Sequence, residues 1–188
     1  MSVEWIGIML SAATLLVIGA TAVAAVIQLR HLRASNQLSA LLEILDQWNT
    51  PALREAYARF YSDLPAKLTD PDFRADYANS GSLDRNAHPE MLVFDLWEQV
   101  GTYAKHGLID ERILLDIISS QVYHAWKRAE PAIELARKAN GNAVAENFEY
   151  LAVKAARWNK KYPDGTYPRS FPRMSELEPS KAARVPSD

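Results

Sequence analysis

Residues 5–29 read WIGIMLSAATLLVIGATAVAAVIQL, a run without one charged side chain whose only polar members are Ser11, Thr14, Thr21 and Gln28. As a helix rising 1.5 Å per residue, the run covers about 37 Å, enough to cross a hydrocarbon core of about 30 Å with some tilt. It is expected to be a membrane anchor, flanked by Trp5 on one side and by Arg30 and Arg33 on the other. A cleaved secretory signal would open on a basic segment and carry a shorter apolar stretch. Here Glu4 precedes the run, and although Ala20, Ala22 and Ala24 imitate a cleavage site, the apolar residues continue past them.

Loops rich in Lys and Arg stay in the cytoplasm. With Arg30 and Arg33 after the anchor and none before it, residues 1–4 are expected outside and the bulk of the chain inside. The bilayer is thus the first expected partner. Gly7 and Ser11, Ala20 and Ala24, and Thr21 and Ala25 are small residues four apart, a spacing that lets helices approach closely in lipid and form a homo-oligomer. An Ala-rich anchor also produces such pairs by chance.

Removing the anchor and a tail leaves about 130 residues, the size of one domain. Net charge is -2, so the chain lacks the basic stripe that holds a nucleic-acid backbone, and no nucleic acid is expected as a partner. Cysteine is absent, which excludes thiol nucleophiles, disulfides and Cys-based zinc sites.

From Arg30 to Trp48 the pattern stays helical but the apolar stripe changes face at Ser35, Asn36 and Gln37. Leu29 and Leu32 lie on one side, whereas Leu38, Leu41, Leu42, Leu45 and Trp48 lie roughly opposite, as in a helix that leaves lipid and docks on a soluble core. Thr50 and Pro51 signal a new helix, which Pro65 stops, and Asp70 and Pro71 signal a short one to about Tyr77. Asn79, Ser80, Gly81 and Ser82 open a loop that runs to His88. Pro89 begins a helix with Leu92, Val93, Leu96, Trp97, Val100, Tyr103 and Ala104 on its apolar face, ended by Gly107.

Asp110 caps the next helix, which Glu130 and Pro131 interrupt or kink, and a further helix runs from Pro131 to about Asn140. Asn142 is placed to cap the last, with Val144, Phe148, Leu151, Ala155, Trp158 and Tyr162 on one stripe. No stretch alternates with the period of a strand. The expected fold is therefore all-α, an anchor running into a cytoplasmic antiparallel helical bundle over residues 30–162. A Pro-rich tail over 163–188 is expected to be disordered, because it cannot bury enough apolar area to offset the entropy of ordering.

Chemistry is sparse. No Glu has a His three residues later, His-Glu-x-x-His is absent, and His31, His88, His106 and His124 are scattered in ways that structural roles explain. Neither a metal nor another cofactor is expected. Asp95 and Glu98, one turn apart beside Thr102, are the acid–base candidates, with Arg54 as a third member of a cleft, although carboxylates at this spacing also decorate solvated helix faces. Trp48, Trp97, Trp126 and Trp158 sit on apolar stripes and are expected to fill a shared core rather than cage a ligand. Arg54 and Arg59, near Tyr57 and Tyr61, are helix-surface charges by default.

Several stretches carry a resemblance. They are the anchor running into Gln37-Leu38 and Leu41 to Trp48, then Pro51-Ala52-Leu53-Arg54, the run from Val93 to Gly101, the Gly107-Leu108-Ile109-Asp110 turn, and Trp126 to Arg137 with Pro131. In these the chain resembles a family of short bacterial membrane proteins known as a domain of unknown function, number forty-seven sixty. The resemblance covers most of residues 5 to 160 and implies an anchored all-helical domain in a bacterial inner membrane, with no catalytic residues to carry over. Gly101 lies mid-helix, where Gly costs up to about 1 kcal/mol relative to Ala, as close helix packing would require.

The sequence thus predicts a membrane-anchored helical interaction module that binds a protein partner or itself. The competing reading is a tethered enzyme or small-ligand sensor using Arg54, Asp95 and Glu98. A pore-forming effector is disfavoured, because the anchor has no ionisable group to line a pore.

Overall fold

A computed structural model of the chain describes residues 2–79 and 83–177. Ser80, Gly81 and Ser82 of the expected loop and residues 178–188 of the expected tail lie outside the described residues. Every regular element among the described residues is a helix: α1 (Val3–Trp48), α2 (Pro51–Ser62), α3 (Leu64–Lys67), α4 (Pro71–Ala78), α5 (Met91–Lys105), α6 (Glu111–Asn140), α7 (Glu146–Lys161) and α8 (Met174–Leu177).

The apolar run continues unbroken into the docking turns, so that α1 is one helix of 46 residues. Its most apolar 18 residues have a mean hydropathy of 2.3 and none is buried, which makes α1 a candidate membrane span by length and composition. Only its last turns reach the core, where Leu41 and Ile44 are buried and Trp48 packs against the cluster. Leu38 and Leu42, expected on the docking stripe, are 56% and 52% exposed instead. The inward face is set by Gln37, Leu41, Ile44 and Trp48, roughly 65° from the predicted stripe, because the domain meets α1 from the side of Trp97.

Local capping follows the predicted chemistry in three places. The Thr50 side chain accepts from the Leu53 amide with Pro51 at the first helical position, Asp70 accepts from Asp72 with Pro71 following, and Asp110 accepts from Arg112 and Ile113. These side chains satisfy amide groups that an isolated helix end leaves without partners. Pro65 does not merely stop a helix. The chain leaves α2 at Ser62, and Pro65 lies in the first turn of α3, where a missing N–H costs nothing.

Two boundaries differ from the sequence reading. Pro131 lies inside α6, which runs 30 residues without interruption instead of dividing into two helices. The ladder loses only the bond that the Pro131 nitrogen would have made to the Lys127 carbonyl, and burial of Trp126, Ala129, Ala132 and Ile133 on both sides holds the helix together. The helix does bend. Glu111 pairs with Lys154 and Arg137 with Glu149, positions five apart on α7, whereas the 26 residues from 111 to 137 would span about 39 Å if straight. The last helix begins at Glu146, not beside Asn142, and its cap residue Ala145 is left-handed with φ of 55°.

Packing centres on α7, which lies against both α5 and α6, while α2 packs on α5 and α4 on α6. Its Phe148, Leu151, Ala152 and Ala155 are buried among Trp97, Val100, Leu114, Ile118, Val122 and Trp126. Trp97 and Trp126 meet Phe148 with ring centroids 6.1 and 5.1 Å away, so these tryptophans fill the core as expected. Residues 163–177 are turns and bends apart from α8 and expose nearly every side chain, and they touch the bundle where Thr166 bonds to Asp116.

Candidate functional site

A helix of 3.6 residues per turn places Met91, Phe94, Asp95 and Glu98 along one side of α5, while Val93, Leu96, Trp97 and Val100 enter the core. That side forms one wall of a cleft of about 290 Å³. Tyr77 from α4 and Leu83 and Arg85 from the following loop form a second wall, and Ile133, Ala136 and Asn140 from α6 with Val144 and Ala145 form the third. The floor is apolar and the rim polar, the arrangement of a site for a small or elongated apolar group.

Asp95 and Glu98 both line this cleft, but each is already engaged. Arg85 donates from Nε at 3.0 Å and Nη2 at 2.8 Å to one Asp95 oxygen, in a pair about half exposed on both sides. Glu98 reaches across to the start of α7, where Oε2 accepts from the backbone amides of Asn147 at 3.1 Å and Phe148 at 2.8 Å, and Oε1 from Asn147 Nδ2 at 2.7 Å. A carboxylate from α5 therefore caps α7, satisfying first-turn amides and meeting the positive end of the helix dipole. Arg54 is on α2, donates to Asn49 Oδ1 at 2.8 Å, and is not among the residues lining the cleft. The three candidates do not converge on one point. Arg59, on the same helix, pairs with Glu55 on the exposed surface.

Close packing beneath Glu98 explains why its reach suffices. A Cβ on Gly101 would lie 2.1 Å from the carbonyl oxygen of Asn147 and 2.5 Å from its carbonyl carbon. Only glycine allows the two backbones to meet there. Arg137 completes the joint, donating from Nε to the Val144 carbonyl at 2.9 Å, pairing with Glu149 at 2.8 Å and covering the Trp126 ring.

Behind Tyr77 lies a polar cluster that the spacing of residues does not reveal. His88 and Glu90 are 3% and 2% exposed. Tyr77 donates its hydroxyl proton to Glu90 Oε1 at 2.9 Å, His88 Nδ1 lies 3.1 Å from the same oxygen, and His88 Nε2 lies 3.2 Å from Asp76 Oδ2. Lys67 approaches the other Glu90 oxygen at 3.7 Å. Burial first, and then the charge and hydrogen bond of Glu90, hold the Tyr77 hydroxyl neutral far above the usual tyrosine range. The only local sign in the sequence is Glu90 two residues after His88 at a helix start, whereas Lys67, Asp76 and Tyr77 arrive from 11 to 23 residues away. Among the described residues no group of three or more His, Asp or Glu side chains is placed to hold a metal ion.

Residues 15–158 match the family described as Domain of unknown function (DUF4760). The chain belongs to the DUF4760 family. No curated protein and no solved structure matches it. In this DUF4760 member the matched region begins inside the apolar segment and ends at Trp158, so it contains the cleft, the cap of α7 and the buried cluster together, and leaves residues 163–177 outside.

Proposed function

We propose that the chain is a single-pass protein of a bacterial inner membrane, with its amino terminus outside and a cytoplasmic helical domain that binds a protein partner or a second copy of itself. The observation that carries this reading is α1, whose apolar part is wholly unburied and runs without a break into the docked turns. Such a helix left in water would expose far more contiguous apolar surface than soluble proteins tolerate. The carboxylates most suited to acid–base work are meanwhile spent on an ion pair and a helix cap.

Crosslinking of the full-length protein in native membranes, followed by mass spectrometry, tests the interaction role. A distinct protein whose capture depends on residues of the cleft supports it, and self-crosslinks alone direct it to homo-oligomerisation. The cleft of about 290 Å³ favours one second reading, a sensor for a small apolar ligand. A panel of nucleotides, lipids and metal ions that leaves thermal stability unchanged removes that reading.

A further inference from the structure

Because α1 holds the apolar run and the docked turns in one helix, position along it measures depth from the bilayer. Charge-free sequence ends at Leu29, and Arg33 and Gln37 lie about 6 and 12 Å further along the axis. A headgroup layer is about 5–8 Å thick on each side. At this depth α1 meets the turn between α5 and α6: Gln37 Nε2 donates to the Gly107 carbonyl at 3.1 Å, and the Arg33 guanidinium lies 3.6 Å from where a Gly107 Cβ would stand. The turn therefore sits at the edge of the headgroups.

Its chemistry suits that position. Gly107, with φ of 66°, reverses the chain so that Ile109 is buried and Leu108 points outward, 53% exposed. Exposed His106 and Arg112 flank it, and Arg30 and Arg33 stand on α1 beside it. Of the nearby acids, Asp110 accepts from the amides of Arg112 and Ile113, Glu111 pairs with Lys154 at 3.0 Å, and Asp116, which lines a pocket together with Arg112, accepts from the Thr166 hydroxyl. Among the described residues, Arg30, Arg33 and Arg112 take part in no ion pair. An exposed leucine stands on the turn, with Arg112 four residues later, Arg33 against the turn and Arg30 one helical turn before Arg33. With none of these arginines in an ion pair among the described residues, this is the composition of a contact with an anionic lipid surface.

We infer that the α5–α6 turn is a second membrane contact, with Leu108 in the interface and anionic lipid phosphates on Arg30, Arg33 and Arg112. The inference rests on α1 crossing the bilayer. It fixes how the domain sits, with the turn against the lipid and the amino-terminal end of α5 directed away. Arg112 is the residue of the three that belongs to the domain rather than to the anchor.

The chain has no cysteine, so single nitroxide labels report cleanly. Full-length protein in vesicles of phosphatidylcholine, with or without phosphatidylglycerol, carries the label at Thr21→Cys in the anchor, at Leu108→Cys, or at Ala66→Cys. Ala66 is exposed and adjoins Lys67, which reaches Glu90 at the far end of α5, about 22 Å from the turn. The Thr21 label should favour dissolved oxygen over a water-soluble nickel complex in both lipids. The Leu108 label should do so with phosphatidylglycerol, and Arg112→Gln should reduce the docked fraction's equilibrium constant about fivefold, the worth of one basic side chain at an anionic surface. A Leu108 label as open to nickel as the Ala66 label, beside a buried Thr21 label, overturns the contact and leaves the anchor standing. A shielded Leu108 label indifferent to phosphatidylglycerol and to Arg112→Gln overturns lipid as the occupant in favour of protein. A Thr21 label open to nickel overturns the anchor itself.

Discussion

Replacing Gly101 with Ala should destabilise the domain even though alanine is the better helix former. An added Cβ would stand 2.1 Å from the Asn147 carbonyl oxygen, a backbone atom that no side-chain rotation can move aside. Reaching ordinary contact requires the Asn147 carbonyl and α5 to separate by about 1.3 Å, and overpacking of this kind costs about 1–3 kcal/mol. Separation also stretches the Glu98 hydrogen bonds to Asn147 and Phe148, at 3.1 and 2.8 Å, each a charge-assisted bond worth about 1.5–3 kcal/mol. Helix propensity returns about 1 kcal/mol. The net loss is about 2–4 kcal/mol, or about 6–15 °C in melting temperature for a domain of this size. Thermal unfolding of the full chain in detergent, followed by far-ultraviolet circular dichroism, measures it. A Gly101→Ala protein as stable as the parent, or more stable, would refute the close contact between α5 and α7.

Other substitutions probe the same joint and the buried cluster. Glu98→Ala should cost about 2–3 kcal/mol and accelerate hydrogen exchange at the Asn147 and Phe148 amides, with little change in the interior of α6. Ala145→Gly should stabilise by about 0.5–1 kcal/mol, because a left-handed alanine at φ of 55° pays about 1–2 kcal/mol that glycine avoids, against its greater loss of backbone freedom. The domain should weaken above about pH 10. Burial raises the folded-state pKa of Tyr57 and Tyr77, the neighbouring Tyr61 and Glu90 add to the shift, and an unfolded tyrosine ionises near 10. Their contribution is complete below that pH and is lost as pH rises toward the folded values, at up to about 1.4 kcal/mol per pH unit for each tyrosine. Urea titrations from pH 8 to 11 should show the decline, and Tyr57→Phe should flatten it.

How much of this was legible in the sequence depends on the range of the interaction. Thr50-Pro51, Asp70-Pro71 and Asp110 announce helix starts within three residues of the side chains that make them, and each start stands where the local chemistry puts it. The long apolar helix, a candidate membrane span, was legible for the same reason, since its whole signal is contained in 25 consecutive residues. Reading failed where a distant segment overrode local preference. Pro131 looks like a break, but apolar burial on both sides carries the helix through it. Asn142 is a fair local cap, yet α7 starts at Glu146 because a carboxylate 49 residues earlier supplies the capping oxygen.

The same distinction explains the site. Asp95 and Glu98 share a helix face in the sequence and a cleft in the structure, but their partners Arg85 and Asn147 set their roles and cannot be inferred from spacing. His88 is read locally as a helix-start residue, and only the arrival of Asp76 and Tyr77 from α4 makes it part of a buried cluster. Gly101 is the favourable exception. A glycine in the middle of a strongly periodic helix is costly enough that close approach by another backbone is the natural explanation, and Asn147 provides it.

The most direct test of the account is where the full-length chain resides and which side its domain occupies. Membranes from a bacterial host expressing it, washed at alkaline pH and then divided into inside-out and right-side-out vesicles, should retain the protein after the wash. Protease should digest the helical domain in the inside-out vesicles and spare it in the right-side-out ones. Release by the alkaline wash would contradict the anchor, and digestion only in right-side-out vesicles would contradict a cytoplasmic domain.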